Sequence, residues 1–203
     1  MSKSLDTFRP DLLAANAAEV VKDGFKSVCV YYFAESDFKR PLTRSEAVTL
    51  SEAGLYILAV YENGFPTSGD YFGSSRGRYD AQIALQCAVA AGQPAGSVIY
   101  FAADFETQEQ DLPNMDAYFR AIQPLLKARG YTVGAYGDGI LLRYLTERGF
   151  ISHSWLSEST GWQGYAEWKG KANITQSPSG PYLGMDIDMD STDGNAGGFQ
   201  VSA

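Results

Sequence analysis

Histidine is nearly absent from this chain. His153 is the only one among 203 residues, and only two cysteines, Cys29 and Cys87, accompany it. A histidine-based zinc site, or a triad of serine or cysteine with histidine, has almost no material to build from. No Gly-x-Ser-x-Gly elbow occurs, and nothing fits the Gly-x-Gly-x-x-Gly or P-loop phosphate patterns. No metal and no cofactor are therefore expected. Cys29 falls in an apolar strand pattern and Cys87 in an apolar helix pattern, so both read as buried free thiols.

Positive charge is scarce as well. Lysine and arginine number 16 against 24 acidic residues, a net charge of −8, with no run of five basic residues. Nucleic acids and anionic membranes are held chiefly by lysine and arginine, so neither is expected as a partner. No apolar run reaches the roughly 18 residues that would span a bilayer. The opening MSKSLDTFRPDLLAANAAEV lacks the continuous apolar core of a secretory signal, so synthesis in the cytoplasm is expected. Low-complexity stretches and linkers are missing too. The reading is one domain over residues 1–203, acting as a monomer.

What is present is a chain 45% hydrophobic and 13% aromatic, enough for a full core. Short apolar runs alternate with amphipathic stretches. Strands are expected at Ser4–Thr7, Ser27–Phe33, Tyr56–Tyr61, Val98–Asp104, Thr132–Tyr136, His153–Leu156, Ala172–Gln176 and Gly184–Asp188. Helical patterns cover Asp11–Asp23, Thr43–Ala53, Arg78–Ala91, Met115–Arg129 and Gly139–Arg148, with one helical turn within Gly161–Gly170. Thr43-Arg44-Ser45-Glu46 is a capping-box pattern, and glycine follows the helices as a C-terminal stop. Eight strands alternating with helices predict a small α/β fold, a single-domain (β/α)8 TIM-like barrel with some helices shortened. A doubly wound open sheet is the alternative, without its phosphate fingerprint.

In such a barrel, catalytic groups lie at the C-terminal ends of the strands. Acids recur there: Asp6, Glu62, Asp104, Glu106, Asp138, Glu158, Asp186, Asp188 and Asp190. Tyr31, Tyr32, Tyr61, Tyr136, Trp155 and Gln176 share those ends. Asp104-Phe105-Glu106 carries the most information, because a buried strand runs straight into it. If the strand continues, its i, i+2 spacing sets both carboxylates on one face, roughly 6.5–7 Å apart along the backbone. Converging carboxylates raise one another's pKa. One can then stay protonated as a general acid while another supports or attacks an oxocarbenium-like transition state. The alternatives for each acid alone are a helix cap or a solvated loop. Asp138, ahead of Gly139-Ile140-Leu141, reads as a cap. His153 reads as structural, on the face opposite the site.

At this point the chain resembles the glycoside-hydrolase-like domains of unknown function that are relatives of the family 25 lysozymes. The matching residues are Ser4-Leu5-Asp6-Thr7-Phe8, Val30-Tyr31-Tyr32-Phe33, Val98 through Glu106, Val133 through Gly137, Trp155-Leu156, Ile174-Thr175-Gln176 and Gly184 through Asp188. The resemblance implies a barrel with a carboxylate-lined pocket that cleaves peptidoglycan or a related glycan. It implies Glu106 as general acid, Asp104 as stabiliser or nucleophile, and Asp6 with Asp186 or Asp188 completing the catalytic set. Tyr32, Glu62, Tyr136, Trp155 and Gln176 are the expected substrate-binding residues. A catalytically inactive glycan-binding barrel is the alternative. A wall hydrolase without an export signal would be freed by lysis or carried by a dedicated secretion system.

Overall fold

The computed structural model describes residues 1–35 and 40–203. Eight strands close into one barrel in chain order: β1 (Ser2–Thr7), β2 (Ser27–Tyr32), β3 (Tyr56–Tyr61), β4 (Val98–Ala102), β5 (Thr132–Gly137), β6 (His153–Leu156), β7 (Ile174–Tyr182) and β8 (Met185–Thr192). The strands from β1 to β7 pair in parallel. β8 breaks the pattern by running antiparallel to both β7 and β1. A tight turn at Leu183-Gly184 joins β7 to β8 where a regular barrel would have a crossover helix. The expectation that Asp186, Asp188 and Asp190 close the C-terminal end of strand eight is thus corrected. They descend from the rim, Asp186 uppermost, because the strand enters the barrel from the top.

Apolar residues cover both faces of the central strands, and period-two alternation sorts them. Cys29, Tyr31, Leu58, Val60, Val98, Tyr100, Ala102, Trp155 and Ile174 fill the barrel interior. Val28, Val30, Tyr32, Ile57, Ala59, Tyr61, Ile99 and Phe101 point outward to the helices. Those helices are α1 (Pro10–Ala15), α2 (Ala17–Lys22), α3 (Arg44–Glu52), α4 (Ser74–Ala91), α5 (Leu112–Lys127), α6 (Gly139–Glu147) and α7 (Tyr165–Trp168). The stretch expected as one helix over Asp11–Asp23 is two, divided at Asn16, whose side chain donates to the Leu12 carbonyl. The capping box forms as expected: Thr43 Oγ1 accepts the Glu46 N–H and Glu46 accepts the Thr43 N–H.

The bottom of the barrel is plugged by the C-terminal segment. Val98 N–H donates to the Gly197 carbonyl at 3.0 Å, Tyr100 donates to the Ala196 carbonyl at 2.9 Å, and Phe199 bridges to Ile57. Gly197 has φ +70°, and a Cβ there would stand 2.0 Å from Val98 Cγ2, so only glycine fits. With the floor sealed, the open end is the C-terminal rim of the parallel strands. Both cysteines are buried and free, as their patterns predict.

Candidate active site

A pocket of 190 Å³ opens at that rim. Three acids line it: Glu62 just after β3, Asp104 after β4, and Asp188 on β8. Phe8, Tyr31, Val60, Tyr136, Trp155 and Gln176 form the rest of the wall. Phe8 lies flat on Tyr31, with ring centroids 3.6 Å apart and planes 17° apart.

Two more acids lie beneath. Asp6, on β1, stands opposite Asp188 in the β1–β8 register, and Asp190 stands opposite both Ser4 and Gln176. Both are buried. A chain of hydrogen bonds joins floor to rim. Tyr31 donates to Asp6 Oδ1 at 2.6 Å. Gln176 Nε2 reaches Asp6 Oδ2 at 3.3 Å and Asp188 Oδ2 at 3.1 Å. Tyr136 Oη lies 2.9 Å from Gln176 Oε1, 3.1 Å from Ser157 Oγ and 3.5 Å from Asp104 Oδ1. Trp155 Nε1 donates to Asp190 Oδ1 at 3.0 Å, and the Cys29 thiol faces Asp190 Oδ2 at 3.7 Å.

Desolvation makes Asp6, Asp104, Asp188 and Asp190 harder to ionise. Burial pushes Asp6 up to about 7, against the hydrogen bond from Tyr31, with repulsion from Asp188 adding to the rise. Burial raises Asp190 as well, with repulsion from Asp6 adding to the rise. Burial also raises Asp104, opposed by Tyr136, and raises Asp188, with Glu158 and Asp104 adding repulsion. Beneath the pocket, Asp6 can therefore take up or give a proton near neutral pH.

Several expected residues do not join this set. β4 ends at Ala102, so strand alternation does not carry from Asp104 to Glu106. Glu106 lies outside the pocket lining, its Oε1 accepting the Gln163 N–H at 3.1 Å. That contact ties Glu106 to the loop before α7. At the same loop, Gly164 has φ +75°, and a Cβ there would come within 2.7 Å of the Gly139 carbonyl carbon. Tyr32 points outward rather than into the pocket, and its hydroxyl donates to Gln93 Oε1 at 2.9 Å. Asp186 is exposed above the rim and lines no part of the pocket. Asp138 is a cap, as expected: Oδ1 accepts the Leu141 N–H at 2.7 Å, and Oδ2 accepts the Thr107 N–H at 2.5 Å. His153 sits at the start of β6, away from the pocket, beside Ser152 Oγ. Among the described residues, no group of His, Cys, Asp and Glu could hold a metal ion.

Sequence reasoning passed over Phe8 and Val60, and it placed Tyr31 and Asp190 at the strand ends without assigning either a role in the site. Parity was the missing signal for Tyr31. All six residues of β2 are buried, so hydropathy alone does not say whether Tyr31 or Tyr32 faces inward.

Sequence and structure comparisons converge on one assignment. The family described as "Rv2525c-like, glycoside hydrolase-like domain" matches residues 18–193. The chain belongs to that family. YbfG of Bacillus subtilis, itself uncharacterised, is 29% identical over 128 residues, which span 59% of this chain and 17% of YbfG. Rv2525c of Mycobacterium tuberculosis, a proposed peptidoglycan hydrolase, is 27% identical over 132 residues, 62% of this chain and 52% of that protein. The matched stretch is thus at most about half of these curated relatives. The crystal structure of Tat-secreted Rv2525c with L-tartrate superposes with a TM-score of 0.82 at 21% identity, covering 97% of this chain and 98% of that one. A family 25 glycosyl hydrolase from Bacillus anthracis superposes with a TM-score of 0.60 at 14% identity, covering 96% and 90%. These superpositions establish the shared barrel.

Proposed function

We propose that the acidic pocket hydrolyses a glycosidic bond of cell-wall peptidoglycan or a closely related glycan. The observation that carries this reading is the convergence of Glu62, Asp104 and Asp188 on one small pocket, above the buried Asp6 and Asp190. Glycoside hydrolysis needs one carboxylic acid to protonate the leaving oxygen and one carboxylate to stabilise or trap the oxocarbenium-like centre. Asp104 suits the first role. It stands at the rim, largely exposed, yet partial desolvation of its carboxyl raises its pKa, and the donor it has among the described residues, Tyr136, is distant at 3.5 Å. Asp188 suits the second, because the Gln176 amide donates to it at 3.1 Å and favours its anion. A cluster of negative charge also favours a transition state that becomes positive. The stacked Phe8 and Tyr31 rings offer an apolar wall for a sugar face. We propose action at the cell wall, in line with the Tat-secreted relative Rv2525c.

One observation favours a second reading, a glycan binder without turnover. Glu106, the general acid implied by resemblance, is engaged by the Gln163 amide outside the pocket.

Incubating the protein with purified peptidoglycan, with and without a chelator, tests both readings. New reducing ends seen by mass spectrometry, unaffected by the chelator, are the expected result. Retention of glycan without any released product would replace the hydrolase by the binder.

A further inference from the structure

The acidic pocket is too small to hold an extended ligand. Sites for drug-sized molecules run from about 300 to 1,000 Å³, and this one is 190 Å³. A chain-like substrate must leave it on some side. A second cavity of 410 Å³ adjoins it and shares two wall residues with it, Phe8 and Glu62. Its remaining walls are Phe33, Ala34 and the loop Asn63-Gly64-Phe65 after β3. Phe65 is 85% exposed and Phe8 is 37% exposed. Single exposed apolar residues are ordinary. Two exposed phenylalanines on one cavity that shares a wall with an acidic pocket offer a surface for an apolar face.

The loop that presents Phe65 is braced on both sides. The Asn63 carbonyl accepts from Tyr71 Oη at 2.6 Å and from Arg76 at 3.0 Å, and Asn63 Oδ1 accepts the Ala34 N–H at 3.1 Å. Beyond Phe65, the Pro66 carbonyl accepts the Asp104 N–H at 2.9 Å. The same loop therefore positions both the exposed ring and the backbone of the rim acid. Apolar rings beside an amide and a carboxylate match a pyranose, which has an apolar face and hydroxyls around its edge.

We infer that the cavity walled by Phe8, Asn63 and Phe65 is a second sugar subsite, in which Phe65 carries the next residue of a glycan chain seated in the acidic pocket. This inference rests on the glycan reading of the acidic pocket. The probes are a disaccharide and a tetrasaccharide of alternating N-acetylglucosamine and N-acetylmuramic acid, joined through sulfur so that they resist cleavage, titrated by calorimetry into the wild-type protein, Phe65→Ala and Phe65→Trp. The wild type should bind the tetrasaccharide about tenfold or more tightly than the disaccharide, a gain of about 1.4 kcal/mol. Phe65→Ala should bring tetrasaccharide affinity down to that of the disaccharide, and Phe65→Trp should restore the difference. Equal tetrasaccharide affinity in the wild type and Phe65→Ala would overturn the subsite while leaving the glycan pocket standing. Binding of neither probe by the wild type would overturn both.

Discussion

The hydroxyl of Tyr31 stands 2.6 Å from Asp6 Oδ1 and donates to it at the base of the pocket. The two residues come from adjacent parallel strands, and the bond opposes the burial that raises Asp6 to about 7. Tyr31→Phe removes the donor and leaves the carboxylate less stabilised. A hydrogen bond to a charged group is worth about 1.5–3 kcal/mol, so the Asp6 pKa should rise by about one pH unit or more. Carbon-detected NMR titration of the aspartate carboxyls reads this directly. An unchanged or lower Asp6 pKa would show that the bond does not hold the anion.

Desolvated acids, fully buried or partly so, should also give the fold an unusual pH profile. Asp6, Asp104, Asp138, Asp188 and Asp190 all have raised pKa values in the folded state, burial being the first cause of each. Above about pH 4 the unfolded chain releases these protons while the folded chain keeps them, so stability falls as pH rises toward 7. His153, lowered by burial, opposes the trend, and so, near pH 4, do Asp11, lowered by its bond from Arg9, and Glu46, lowered against burial by its bond from Arg40. Thermal melts should give a lower Tm at pH 8 than at pH 5. Asp190→Asn, which mimics the protonated acid, should raise the Tm at pH 8 more than at pH 5. A Tm that climbs from pH 5 to pH 8 would contradict the buried-proton account.

A third prediction concerns the shell between barrel and helices. Asp80 on α4 is fully buried and accepts from Tyr118 at 2.7 Å, Tyr61 at 2.8 Å and Tyr71 at 3.1 Å, with Arg76 Nε 2.9 Å away. One carboxylate thus ties α4 to β3 and α5. Asp80→Ala would strand these partners in an apolar layer and should cost about 3–5 kcal/mol in urea unfolding. A loss below about 1 kcal/mol would mean that the cluster adds little to stability.

Much of the fold was legible in the chain because strand and helix periods differ and glycines punctuate them. Each of the eight strands overlaps an expected apolar run, and β1, β3 and β6 end at the expected residues, Thr7, Tyr61 and Leu156. The direction of β8 was not legible, since a short turn at Leu183-Gly184 and a crossover both leave an apolar run next in sequence. Asp6, Glu62, Asp104, Tyr136, Trp155, Gln176 and Asp188 do share one network or pocket. Glu106 does not, because the i, i+2 argument requires a strand and β4 stops four residues short of it. Tyr32 fails on parity within a wholly buried strand. Asp186 fails because it lies one step above the pocket on a strand that descends from the rim.

The most direct test of the account compares the release of reducing ends from peptidoglycan by the wild type, Asp104→Asn and Glu106→Gln, with circular dichroism confirming that each is folded. General acid catalysis contributes about 10²–10⁴-fold. Asp104 faces the pocket and Glu106 is tied to the loop at Gln163. Asp104→Asn should therefore lose at least about 100-fold, with a distinctly smaller loss in Glu106→Gln. The reverse order, with Glu106→Gln inactive and Asp104→Asn active, would contradict the assignment and return the acid to Glu106.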